Sequence, residues 1–201
     1  MFPFLTVFII FLLVVYFYRA YNTKKREKIV AAFWEREEQA KHTPAKDLSQ
    51  AGYITVPIDS FPLGRCDSDE VMLIEEELLR LSKKRLLNLN GMTNTDVRIE
   101  YGTSNFDAVC AMGEDFDRLI VLLCDYAKAL IENGFTKEAC VVLEYGADIG
   151  SDVSENYTLL GECYHENSMD LQLDELIRRV EESEIIRRQS VLEQLNGLKN
   201  K

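Results

Sequence analysis

The side chains able to act as nucleophiles, bases or metal ligands are few and scattered. Two histidines, His42 and His165, and five cysteines, Cys66, Cys110, Cys124, Cys140 and Cys163, are spread over 201 residues. Cys163-x-His165 offers two ligands to a zinc ion, but no second pair stands at finger spacing. Acidic runs occur at Glu75-Glu76-Glu77, Glu114-Asp115-x-Asp117 and Glu181-Glu182-x-Glu184. None has the Asp-x-Asp-x-Asp-Gly loop of a calcium hand, and such runs read as solvated helix faces. The chain has no His-Glu-x-x-His, no Gly-x-Ser-x-Gly, no Gly-x-Gly-x-x-Gly and no glycine-rich phosphate loop. The expectation is a protein that is not an enzyme, with no metal, no cofactor and no small-molecule substrate.

The odd cysteine count without a Cys-x-x-Cys spacing fits buried thiols in a reducing compartment. The formal charge of −11 argues against nucleic acid, which demands a clustered basic face. An apolar fraction of 47% with 28% charged residues is a globular balance.

What must position these residues begins with an uncharged apolar run from Phe2 to Tyr18. Seventeen residues give a helix about 25 Å long, and Ala20 and Tyr21 extend it if Arg19 snorkels toward headgroups. Tyr16, Phe17, Tyr18 and Tyr21 form the aromatic belt of an interface. A cleaved signal peptide has basic residues before its apolar region and a small-x-small site after it. Here Arg19, Lys24, Lys25, Arg26 and Lys28 all follow. The run therefore reads as an uncleaved anchor over residues 1–21, with membrane contact through 2–21. The positive-inside rule then places the N-terminus outside and the C-terminal domain in the cytoplasm, single-pass in the cell membrane.

Residues 22–43 read as a juxtamembrane helix with an apolar stripe at Ile29, Val30, Phe33 and Trp34, stopped by Pro44. That stripe either lies on the membrane or packs on the domain. Residues 44–67 read as a linker containing Gly52, Pro57 and Pro62. Within it, 53–58 alternates like a short edge strand. Residues 96–101 form either its strand partner or a short helix capped by Thr93 or Asn94. A helix over 68–89 is capped by Asp67 or Ser68 and ended by Gly91. Further helices cover 116–133, 137–149, 154–165 and 171–195, followed by a frayed polar tail over 196–201. The fold class is all-α, with a possible minor β pair, and 68–195 is its helical domain.

A displacement of 34 residues superposes the last two helical hairpins. Leu123, Tyr126, Ala127 and Leu130 fall on Tyr157, Leu160, Gly161 and Tyr164; Ala139, Leu143 and Gly146 fall on Leu173, Ile177 and Val180. Thirty-four residues is the length of a tetratricopeptide unit. Tyr157-x-x-Leu160-Gly161-x-x-Tyr164 resembles the first-helix pattern of that family, and Gly134 followed by Ala139 and Leu143 resembles its second half. The departures are Ser151 in place of a frequent Pro, Gly146 and Val180 in place of Ala, and Leu173 in place of Ala. The resemblance covers about 118–186, as two degenerate repeats with the helix at 68–89 as a cap. An anchor followed by such a domain looks like small membrane-tethered bacterial repeat proteins.

With Tyr157, Leu160, Gly161 and Tyr164 turned inward, Glu155, Thr158, Glu162, His165 and Glu166 share another helical face. Val121, Cys124, Lys128, Ile131 and Glu132 stand on the matching face of the preceding unit. In the family resembled, this face lines a groove that holds peptides. The resemblance thus implies an adaptor that binds a protein or peptide partner, here a basic and partly apolar one. The competing expectation is an accessory subunit of a membrane complex whose anchor helix is the binding element.

Overall fold

The computed structural model describes residues 3–66, 68–183, 185 and 187–199. Phe2 of the apolar run, the expected cap Asp67, Glu184 of the last acidic cluster, and Asn200 and Lys201 of the tail lie outside the described residues. The fold is all-α, with eight α-helices among the described residues. The chain divides into two compact units, Met1–Lys46 with Met92–Phe106, and Asp47–Gly91 with Asp107–Lys201.

The first unit is dominated by α1, Pro3–His42, a single helix of 40 residues. It is about 60 Å long at 1.5 Å per residue. The anchor and the juxtamembrane segment are therefore one element, and the basic cluster does not break it. No glycine or proline interrupts residues 4–43, and the Thr23 hydroxyl is absorbed by the Arg19 carbonyl at 2.9 Å. The helix closes where Thr43 N–H donates to Ala40 O, its hydroxyl bonds Gln39 O, and Pro44 follows. By length and composition α1 is the one helix among the described residues able to cross a membrane. Its apolar side chains from Phe4 to Tyr21 are largely exposed.

Residues 96–101, left open between strand and helix, belong to α3, Asn94–Tyr101. Thr93 and Asp96 form a reciprocal capping box, which satisfies two otherwise orphaned N–H groups. The unit is closed by an Arg36–Asp96 ion pair, the Thr95 hydroxyl on Glu37, and Lys46 N–H on Tyr101 O at 3.2 Å.

In the second unit, α2 (Asp69–Leu81) is shorter than the pattern suggests. Ser82 closes it, and the chain then extends so that Ile54 bridges Leu86, with Ile54 N–H on Leu86 O at 3.0 Å. That isolated bridge is all that the alternation at 53–58 produces among the described residues. The expected linker packs inward: Val56, Phe61 and Cys66 are buried in the core. Its backbone is also held, as Glu75 accepts from Gly64 N–H at 2.9 Å and the Tyr126 hydroxyl bonds Pro62 O at 3.0 Å.

Two hairpins follow, α4 (Phe106–Glu132) with α5 (Thr136–Asp148), and α6 (Ser154–Glu166) with α7 (Asp170–Glu182). Their turns repeat bond for bond at the 34-residue spacing. Phe135 N–H donates to Leu130 O, and Met169 N–H to Tyr164 O, both at 2.8 Å. The Asn133 amide bonds Ala129 O and the Asn167 amide bonds Cys163 O, at 2.7 and 2.8 Å. Gly134 has φ +83 and Ser168, at the matching position, φ 54. All seven position pairs aligned by the displacement are buried.

The expected helix over 171–195 is two helices. α7 ends at Glu182, and the chain reverses at Arg187, φ 62, into α8 (Arg188–Lys199). Of the tail expected to fray, residues 196–199 form the last turn of α8. The helix packs on α6 through Gly161, where an added Cβ would collide with the Leu195 side chain.

Candidate functional site

The face proposed by the sequence is built from α4 and α6. Lys128 joins the two helices, its ammonium 2.8 Å from Glu155 and 3.5 Å from Asp125. The Glu155 carboxylate holds Lys128 above the usual lysine range. Lys128 is therefore a neutralised strut, and the face loses its basic element.

Glu162, Glu166 and Glu132 are exposed, and none takes part in an ion pair among the described residues. His165 is half-buried in the last turn of α6. Thr158 is half-buried, with its hydroxyl on the carbonyl of Glu155 at 3.1 Å. Ile131 packs partly against the core, and Val121 remains 52% exposed. The result is an acidic end on α6 and an apolar end on α4, bridged by the Lys128–Glu155 pair.

Cys124, expected on this face, is instead buried. Its thiol donates to Asn156 Oδ1 at 3.9 Å, and burial pushes it up to about 12. Asn156 is the residue that sequence reasoning missed. It is fully buried on α6, and its amide donates to Leu143 O of α5 at 3.0 Å. A Cβ on Gly146 of α5 would collide with Asn156 Oδ1. Gly146 therefore departs from alanine because the Asn156 amide fills the space a methyl group would take. Ser151 also has its reason. Its N–H donates to Gly146 O at 3.0 Å, a bond that proline lacks, and its hydroxyl accepts from Val153 N–H at 3.2 Å.

Several other polar groups of the unit are hydrogen-bonded within it. The Asn167 amide also reaches the sulfur of Cys140, at 3.9 Å. Cys163 is fully buried, away from any shared site with His165. A cleft of about 190 Å³ between α5, α6 and α7 falls below the usual ligand-site range of roughly 300–1,000 Å³. Its Arg179 is held by Asp148 at 2.8 Å and Ala147 O at 2.5 Å, and its Tyr164 hydroxyl by Glu144 at 2.8 Å. In a second cleft, of about 480 Å³, the Tyr157 hydroxyl bonds Ser151 O at 2.6 Å, and the Asn90 amide bonds Gly150 O at 3.1 Å. Bonded groups of this kind hold the hairpins together.

No family model, curated protein or solved structure matches this chain.

Proposed function

We propose that the chain is a non-enzymatic adaptor of the cell membrane, spanning once through residues 2–21 with its helical domain in the cytoplasm. The domain works as a degenerate tetratricopeptide-like pair of hairpins whose α4–α6 face holds a basic, partly apolar protein segment. One observation supports the binding face above all: Glu162 and Glu166 stand exposed one turn apart with no ion pair among the described residues, beside half-exposed Val121 and Ile131. Orientation follows from the basic cluster after the span.

The test uses the full chain in zwitterionic vesicles and an amphipathic Lys/Leu helical peptide as the probe. Binding is expected to saturate and to weaken as salt screens the acids. Glu162→Lys with Glu166→Lys abolishes it at unchanged melting temperature, whereas Glu175→Lys with Glu181→Lys on α7 leaves it intact. Equal loss from both pairs, or unchanged binding in the first, would remove this face from the function.

A further inference from the structure

Three Asn-Gly pairs occur in the chain, at Asn90-Gly91, Asn133-Gly134 and Asn196-Gly197. Such a pair can cyclise, because glycine has no side chain to keep its nitrogen from the asparagine carbonyl carbon. Asparagine counts among the thermolabile residues. The attacking nitrogen must lose its proton and turn toward the side chain, and an N–H that donates to a carbonyl does neither readily.

The three pairs differ at that nitrogen rather than at the side chain. Each asparagine amide donates to a carbonyl: Asn90 to Gly150 O at 3.1 Å, Asn133 to Ala129 O at 2.7 Å and Asn196 to Leu192 O at 2.8 Å. Gly134 N–H donates to Ile131 O at 2.9 Å. Gly197 lies within α8, inside its ladder of backbone bonds. Gly91 N–H, by contrast, makes no hydrogen bond among the described residues. It stands in a turn outside any helix, at φ +77.

We infer that Asn90-Gly91 is a site of spontaneous modification, at which the folded chain converts asparagine to aspartate and isoaspartate faster than at the other two pairs. Gly91 N attacks Asn90 Cγ. The N–Cγ bond forms, the Cγ–Nδ2 bond breaks, and ammonia leaves with the proton that Gly91 gave up. Water then opens the ring at either carbonyl, with no oxidant or reductant involved. The consequence is local. Asn88 and Asn90 fasten the segment after α2 to the turn between α5 and α6: the Asn88 amide donates to Ile149 O at 3.0 Å, and both amides donate to Gly150 O at 3.1 Å. Conversion removes one of these donors and sets a carboxylate near a carbonyl oxygen that repels it. The turn at 149–151 then loses a tie, slowly and in one direction.

The full chain in detergent micelles is held at mildly alkaline pH and digested with trypsin, which places the three pairs on separate peptides. Mass spectrometry follows the amide-to-acid conversion in each. Asn90 should convert severalfold faster than Asn133 and Asn196 in the folded chain, and the three rates should converge in concentrated urea. Folded-state conversion of Asn133 or Asn196 that keeps pace with Asn90 overturns the inference. So does a lead of Asn90 that persists undiminished in urea, because the fold would then play no part. Amide exchange at Ile149, Gly150 and Ser151 should rise severalfold as the unaltered chain ages and stay constant in Asn90→Gln, whose longer side chain does not close the same ring. Complete conversion at Asn90 without that rise overturns the loosening of the turn.

Discussion

Asn156 shows how a single polar side chain sets the packing of three helices. Its amide bonds Leu143 O on α5, accepts the Cys124 thiol from α4, and occupies the space beside Gly146. Gly146→Ala should therefore cost roughly 1–3 kcal/mol, since the methyl group overpacks the contact. In an Asn156→Ala background the same change should cost at least about 1 kcal/mol less, because contacting residues couple. Thermal or urea unfolding of the four chains measures this; additive effects would mean that the two residues do not share the contact. The sequence hid this residue because an asparagine between glutamate and tyrosine reads as surface. The apolar pattern at Leu123, Tyr126, Ala127 and Leu130 was visible because helical periodicity is local. Asn156 is buried by a partner on another helix, which no spacing rule reports.

At the scale of elements, turns that lack glycine or proline were the hardest to read. The break between α7 and α8 uses Arg187 at φ 62, a conformation usually left to glycine, so the chain from Leu171 onward reads as one helix. The segment over 47–66 has the composition of a linker, and Val56, Phe61 and Cys66 are buried at irregular spacing that no periodicity rule reports. The helices themselves, with Gly134 and Gly150 at their turns, stood within a residue or two of the pattern for α5 and α6. Since Gly161 faces Leu195, Gly161→Leu should push α8 off α6, at roughly 1–3 kcal/mol. Amide exchange over 188–199 should accelerate first, while exposed Glu162→Leu leaves it unchanged; equal thermal shifts in both would place the contact elsewhere. In the first unit, the Thr93 hydroxyl and N–H, then Arg36, hold Asp96 below the usual aspartate range. A lowered folded value stabilises above the ordinary value of about 3.9 and is lost as pH falls through the folded one. Protection factors in α3, exchange rates corrected for the intrinsic pH dependence, should thus stay constant from neutrality down to the aspartate range and fall below it. Asp96→Asn should flatten that step.

The whole molecule combines an exposed apolar helix with an acidic domain. Residues 19–46 contain eight basic and four acidic residues, and 47–201 fifteen and thirty, a net of +4 against −15. Anionic headgroups attract the first by about 1 kcal/mol per basic residue near the surface, and repel the second. The apolar run was legible in the sequence, and α1 is long and apolar enough to cross a membrane. The central claim is that residues 2–21 anchor the chain with the domain inside the cell, and protease protection of a tag placed after Lys201 tests it most directly. In alkali-washed membranes the tag should sediment with the bilayer. In intact cells it should resist added protease, and it should be cleaved once the cells are lysed. Release of the tag by the alkaline wash, or its digestion from outside intact cells, would contradict the account.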